Sequence, residues 1–168
     1  MLQVIIKYSV LAFCGSIAPA IVINIEKRLL LWAGLGGSLG YIVAMVLNGG
    51  SPALNVNQIF VGTVVVGIYS ECMAKALKAP STVFCIPGIF PLVPGITAYQ
   101  TIQSLADNKI QEASALGIST IFKAFTIAFG IMIVTALFRF VRKSRLFNKR
   151  KKNAASADTA PPPEAPPA

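Results

Sequence analysis

The chain has no histidine and only six acidic residues among 168. Without imidazole there is no Ser-His-Asp arrangement, no His-ligated metal and no imidazole proton relay. The carboxylates are scattered, and only Glu71 lies well inside an apolar run, so no pair is placed for acid–base hydrolysis. Cysteine is scarce as well. Cys14, Cys72 and Cys85 are odd in number, form no CxxC pair and sit in apolar surroundings. They read as small apolar residues between helices. No Gly-rich loop ending in Gly-Lys-Ser/Thr is present, so this chain is not expected to use ATP. Taken together these absences predict no enzyme, no metal and no cofactor.

Charge of any sign is in short supply. Charged residues make up 12% of the chain, against about 25% in soluble domains. Hydrophobic residues make up 55%, and they come in blocks long enough to cross a bilayer. The expectation is an all-α integral membrane protein with about five transmembrane helices in residues 1–140. A basic cytoplasmic juxtamembrane segment follows at 141–152, then a disordered Ala/Pro-rich tail at 153–168. The N-terminal run is read as a retained first span. Only Lys7 precedes its apolar stretch, Pro19 spoils a signal-peptide exit, and Phe13 before Cys14 spoils a lipoprotein site.

The expected spans are residues 4–25, 29–47, 59–77, 82–102 and 115–138. Between the second and third lies a polar loop without charge, residues 48–58, with the turn signal NGGSP. In the second span Gly36 and Gly40 make a G-x-x-x-G, a seam on which another helix backbone can approach closely.

The net charge of +9 invites a nucleic-acid reading, but more than half of the fifteen cations fall at Arg139, Arg142, Lys143, Arg145 and residues 149–152. A basic cluster directly after a span is a topology signal and a contact for anionic lipid, so nucleic acid is not an expected partner. With five spans and this cluster inside, Lys27, Arg28, Lys75 and Lys78 are also inside, and Lys7 and Lys109 outside. That places the N-terminus outside and the C-terminus in the cytoplasm of a cell (plasma) membrane protein. A four-span arrangement with a re-entrant fourth segment distributes these charges less cleanly.

Three features ask for more than packing. The first is residues 85–99, CIPGIFPLVPGITAY, apolar yet carrying Pro87, Pro91, Pro94, Gly88 and Gly95. Such a run is not expected to form one straight helix, and non-helical backbone survives at membrane depth only within protein or beside a wet cavity. Freed carbonyls at interrupted helices are how transporters meet substrate. Its alternative is a proline-kinked helix packed for shape. The second is Glu71, an ionisable group inside span three. It either faces the bundle interior as a proton carrier or pairs with Lys75 one turn on. The third is Lys123, on the order of 12 Å into span five, too deep for easy snorkelling and suited to an anion or a carboxylate. Its depth is expected to match that of Glu71, which would allow the two to pair.

The run IPGIFPLVPGITAY, with TVVVGIYSE before it and the glycine-rich GLGGSLGY, resembles the small subunit of the threonine/serine exporter family in its split form. The resemblance covers roughly residues 10–140, and its most specific part contains Pro91, Pro94, Gly95 and Tyr99. It implies export of a small metabolite, either threonine and serine or a dicarboxylate such as succinate. It also implies a larger membrane subunit as partner, this chain resembling one half of a ten-span transporter. The candidate pathway residues are then Pro87, Gly88, Pro91, Pro94, Gly95, Tyr99, Glu71 and Lys123. The alternative is a scaffold subunit that makes no substrate contact.

Overall fold

The computed structural model describes residues 2–51 and 54–158. They form six α-helices: α1 (Leu2–Val22), α2 (Lys27–Leu47), α3 (Val56–Leu77), α4 (Thr82–Ile89), α5 (Gly95–Ala106) and α6 (Ile110–Asp158). A 3-10 turn, Phe90–Leu92, follows α4 directly. No strand occurs among the described residues. The chain is an all-α membrane protein. Helix is what such apolar runs must form in lipid, where backbone groups find partners only within their own segment.

α1, α2, α3 and α6 are each long and apolar enough to cross a membrane. Thr82–Leu92 and Gly95–Ala106 meet at an angle of 49° and make a fifth span if the bent pair is a single crossing. Three helices stop on a residue with left-handed backbone, at Asn24, Lys78 and Asn108. Asn tolerates that conformation better than most residues. The Ile25 N–H then returns to the Ala20 carbonyl at 3.1 Å and closes the α1–α2 turn. The charge-free loop is tied to α3 by side chains. Asn55 and Gln58 form a capping box, and Gln58 Nε2 donates to Asn48 Oδ1 at 3.1 Å.

Residues up to Thr135 make one compact unit, and those from Ala136 a second. In the first, small residues are inside and large ones outside. Ala20, Ala33, Ala44, Ser16 and Thr63 are fully buried, while Leu31, Ile96, Phe122 and Phe125 are exposed. Lipid is as apolar as leucine, so close backbone contact holds membrane helices together. Two buried clusters mark the two ends of the α1–α4 bundle. Ala20, Leu29, Ala33 and Phe84 form one; Ala44, Val66 and Leu92 form the other. Near the second, α2 and α3 touch backbone to backbone. A Cβ on Gly62 would lie 2.9 Å from the Gly40 carbonyl oxygen, and one on Gly40 would run into Val66. Gly36 seats the ring of Tyr69, whose hydroxyl donates to the Trp32 carbonyl at 2.9 Å.

α3 and α6 run parallel. Thr63 lies against Gly130, and Gly67 against Val134. α6 continues to Asp158, so residues 153–158 of the Ala/Pro-rich tail are helical, in keeping with their alanines. The proline-bearing remainder lies outside the described residues, as do most basic side chains of 141–152.

Candidate functional site at the break in the fourth span

The break is narrower than the sequence suggests. Pro87 does not interrupt the helix; it sits inside α4. It withholds one donor, from the Val83 carbonyl, and an eight-residue helix absorbs that loss. The chain departs from helix at Val93, which is extended (φ −62°, ψ 130°). Proline disfavours helical backbone at the residue before it; Ile86 and Phe90 stay helical ahead of Pro87 and Pro91, and Val93 ahead of Pro94 is the one of the three that is extended. Pro91 is accommodated in the 3-10 turn. The carbonyls freed around the break are largely reclaimed nearby. The Phe90 N–H donates to the Pro87 carbonyl, Val93 donates to Phe90 at 3.3 Å, and Gly95 donates to Val93 at 2.7 Å. The Ile96 and Thr97 N–H groups, at the start of α5, have no backbone partner among the described residues.

A cavity of about 490 Å³ opens at this joint. Pro91, Val93, Pro94 and Gly95 form one wall, and Thr97 and Gln100 of α5 continue it. Tyr8 of α1, Tyr41 of α2 and Asn55 at the head of α3 face them, and Lys123 of α6 completes the ring. Lys123 is the one charged residue among the described lining, and no acid pairs with it there. An ammonium within a helical span and without a carboxylate partner suits an anion. The parallel register of α3 and α6 explains the assembly. Lys123 lies seven residues before Gly130 and so comes level with the start of α3.

A larger groove, about 570 Å³, lies between α3 and α6 behind Phe60, Phe122, Phe125 and Phe129. Its polar side chains are Asn57 and Thr126, and it contains no charged residue to answer an anion, so the smaller cavity is the candidate site.

The sequence-derived candidates separate into groups. Pro91, Pro94, Gly95 and Lys123 meet in the cavity. Pro87 and Gly88 are buried in the α2–α3–α4 contact instead, where a Cβ on Gly88 would come within 2.7 Å of Val66 Cγ1. Tyr99 is 66% exposed on the far side of α5. Glu71 lies eight residues beyond Thr63, close enough to Cys85 of α4 to act on it electrostatically. Along the parallel α3 and α6 axes Glu71 and Lys123 are therefore on the order of 22 Å apart. Their expected match in depth does not hold: it assumed that spans three and five start level, whereas the register of α6 on α3 sets Lys123 level with Val56, the first residue of α3.

Sequence reasoning passed over Tyr8, Tyr41, Asn55, Thr97 and Gln100. Two signals were available. Tyr8 and Tyr41 stand sixteen residues before and seventeen after Asn24, so an antiparallel hairpin brings them level. Thr97, Gln100 and Ser104 share one face of α5 at helical spacing, opposite the exposed Tyr99 and Ile102.

A family model described as "Threonine/Serine exporter, ThrE" matches residues 8–137. No solved structure matches the chain.

Proposed function

The chain belongs to the threonine/serine exporter family, and on that premise we propose that it moves a small carboxylate-bearing metabolite through the cavity at the broken span. Threonine and serine come first, with a dicarboxylate such as succinate second. One observation carries the reading: Lys123 shares its cavity with the N-terminus of α5. The unpartnered Ile96 and Thr97 N–H groups and the positive end of the helix dipole favour an anion there. Interrupted helices in transporters turn such ends toward substrate carboxylates. A carboxylate would exchange its hydration shell for the Lys123 ammonium and these amides, and the Val93–Pro94 joint is where α5 would pivot as the site changes access.

The fuller assignment keeps the N-terminus outside and the basic C-terminal segment in the cytoplasm, against anionic lipid. The distribution of cations supports this. A larger membrane subunit is the proposed partner. The resemblance to the split form supports it, as do the wide apolar faces that α5 and α6 leave uncovered at Ile96, Tyr99, Phe122 and Phe125. Glu71, remote from the cavity, is the candidate for carrying a coupling proton, and the chain is not an enzyme in this reading.

The test is Lys123→Met. Efflux of labelled threonine or serine is expected to fall at least about tenfold while insertion into the membrane is unchanged. A correctly inserted variant that exports normally removes the anion-host role. Efflux measured with and without the larger subunit tests the partner, and full transport by this chain alone would remove it from the assignment.

A further inference from the structure

We propose that Tyr8 and Tyr41 form the subsite that tells an amino acid from a plain carboxylate, their ring faces receiving the substrate's ammonium group. The inference rests on the reading of the Lys123 cavity as the substrate site. The two tyrosines come from neighbouring helices, α1 and α2, and stack with ring centroids 6.4 Å apart and planes inclined at 27°. Both line the cavity that holds Lys123.

A zwitterion brings two opposite charges, and the cavity supplies a full charge for only one of them. Lys123 answers the carboxylate. No acidic residue occurs among the described lining, so the ammonium meets no anion. Several of the neutral oxygens are already engaged. The Asn55 side chain is held in the capping box of α3. The Pro94 carbonyl already accepts from the Thr97 hydroxyl at 3.0 Å and from the Ala98 N–H, which leaves the Thr97 hydroxyl and the Gln100 amide as neutral side-chain acceptors on the α5 wall. The two tyrosine rings add what a neutral hydroxyl or amide does not, a face that attracts positive charge. An aromatic face carries the negative part of the ring quadrupole and attracts a cation within about 6 Å of its centroid, more strongly where water is excluded. The same faces repel a second carboxylate, and one lysine cannot neutralise two. The tyrosine pair therefore favours a zwitterion over a monocarboxylate, and a monocarboxylate over a dicarboxylate.

The experiment uses the purified full chain in lipid nanodiscs, with binding of labelled serine as readout. The competitor is 3-hydroxypropionate, which keeps the carboxylate and hydroxyl of serine and lacks the ammonium. In Tyr8→Leu/Tyr41→Leu the half-saturating serine concentration should rise about tenfold, while competition by 3-hydroxypropionate stays at its wild-type concentration. In Tyr8→Phe/Tyr41→Phe the rings remain and serine binding should stay within about twofold of wild type. Equal weakening of serine and 3-hydroxypropionate in the leucine variant overturns the ammonium subsite. So does a phenylalanine variant as weak as the leucine one, because the hydroxyls would then be the active groups. Wild type and Lys123→Met binding serine equally well would instead remove the cavity as the substrate site, a separate failure with its own signature.

Discussion

Lys123 shows how one residue gains its meaning from its neighbours. A lysine within a membrane helix carries a cost unless it meets water, a partner or an anion, and here, level with the start of α3, it lies half-buried among prolines, tyrosines and amides without a carboxylate. Glu71 is the acidic residue of α3, and it sits near Cys85 toward the opposite end of that helix. Two charges on the order of 22 Å apart do not share a hydrogen-bond network. Lys123→Met and Glu71→Gln should thus act independently. In a double-mutant cycle read on thermal stability and on efflux, the coupling energy is expected below about 0.5 kcal/mol. A larger coupling would show that the two groups meet in some state of the transport cycle. Most hydroxyls in the spans satisfy themselves within their own helix. Thr63 donates to the Ile59 carbonyl and Ser70 to the Val66 carbonyl, each at 2.7 Å. Ser16 is fully buried and its hydroxyl has no partner among the described residues. Replacing it with alanine removes an unsatisfied group, so Ser16→Ala should leave the unfolding temperature unchanged or raise it.

At the scale of elements, the Pro/Gly stretch divides into a packed half and an open half. Gly88 belongs to α4 and lies under Val66, whereas Gly95 opens α5 with nothing within 4 Å of a Cβ placed on it. The two glycines are alike in sequence and differ in consequence. Gly88→Ala forces a close contact in the α2–α3–α4 seam and should cost about 1–3 kcal/mol. Gly95→Ala should be neutral or slightly stabilising. Unfolding temperatures of the two variants in detergent test this, and equal effects would contradict the division. The prolines sort in the same way. Three prolines in eight residues announce that a straight helix fails, and the extended residue does prove to be the one ahead of a proline. Which of the three causes the departure is not written in the stretch. Val93–Pro94 lies beside the cavity, whereas Pro87 is held by helices on either side.

For the whole molecule the number of membrane crossings turns on the segment between the parallel helices α3 and α6. Four helices cross by length and composition, and the bent pair Thr82–Leu92 and Gly95–Ala106 adds a fifth if it is a single span. If so, the turn at Lys78 and the turn at Asn108 lie on opposite sides of the membrane. With Cys14, Cys72 and Cys85 replaced by alanine, single cysteines at positions 78 and 108 should label with an impermeant maleimide from opposite faces. Labelling from the same face would make the segment re-entrant and contradict the parallel run of α3 and α6. The positive-inside count predicts further that position 108 is the one reached from outside.

Composition and apolar run length alone determined that this is a helical membrane protein, because lipid leaves an apolar backbone few alternatives. The position of the break followed from proline chemistry to within a few residues, and Lys123 was marked out by the cost of its charge. These are local properties of the chain. The assembly of the cavity was not legible in that way. Tyr8, Tyr41, Gln100 and Lys123 come from four separate helices and Asn55 from the N-cap of α3, and their meeting depends on registers set by Gly40 against Gly62, Thr63 against Gly130 and Gly67 against Val134. A shift of one helical turn moves a side chain by about 5 Å, and such a shift is enough to separate Lys123 from the joint at Pro94. Only the tertiary packing of small residues decides that register, and it is what sets Lys123 beside the tyrosines and leaves Glu71 with Cys85.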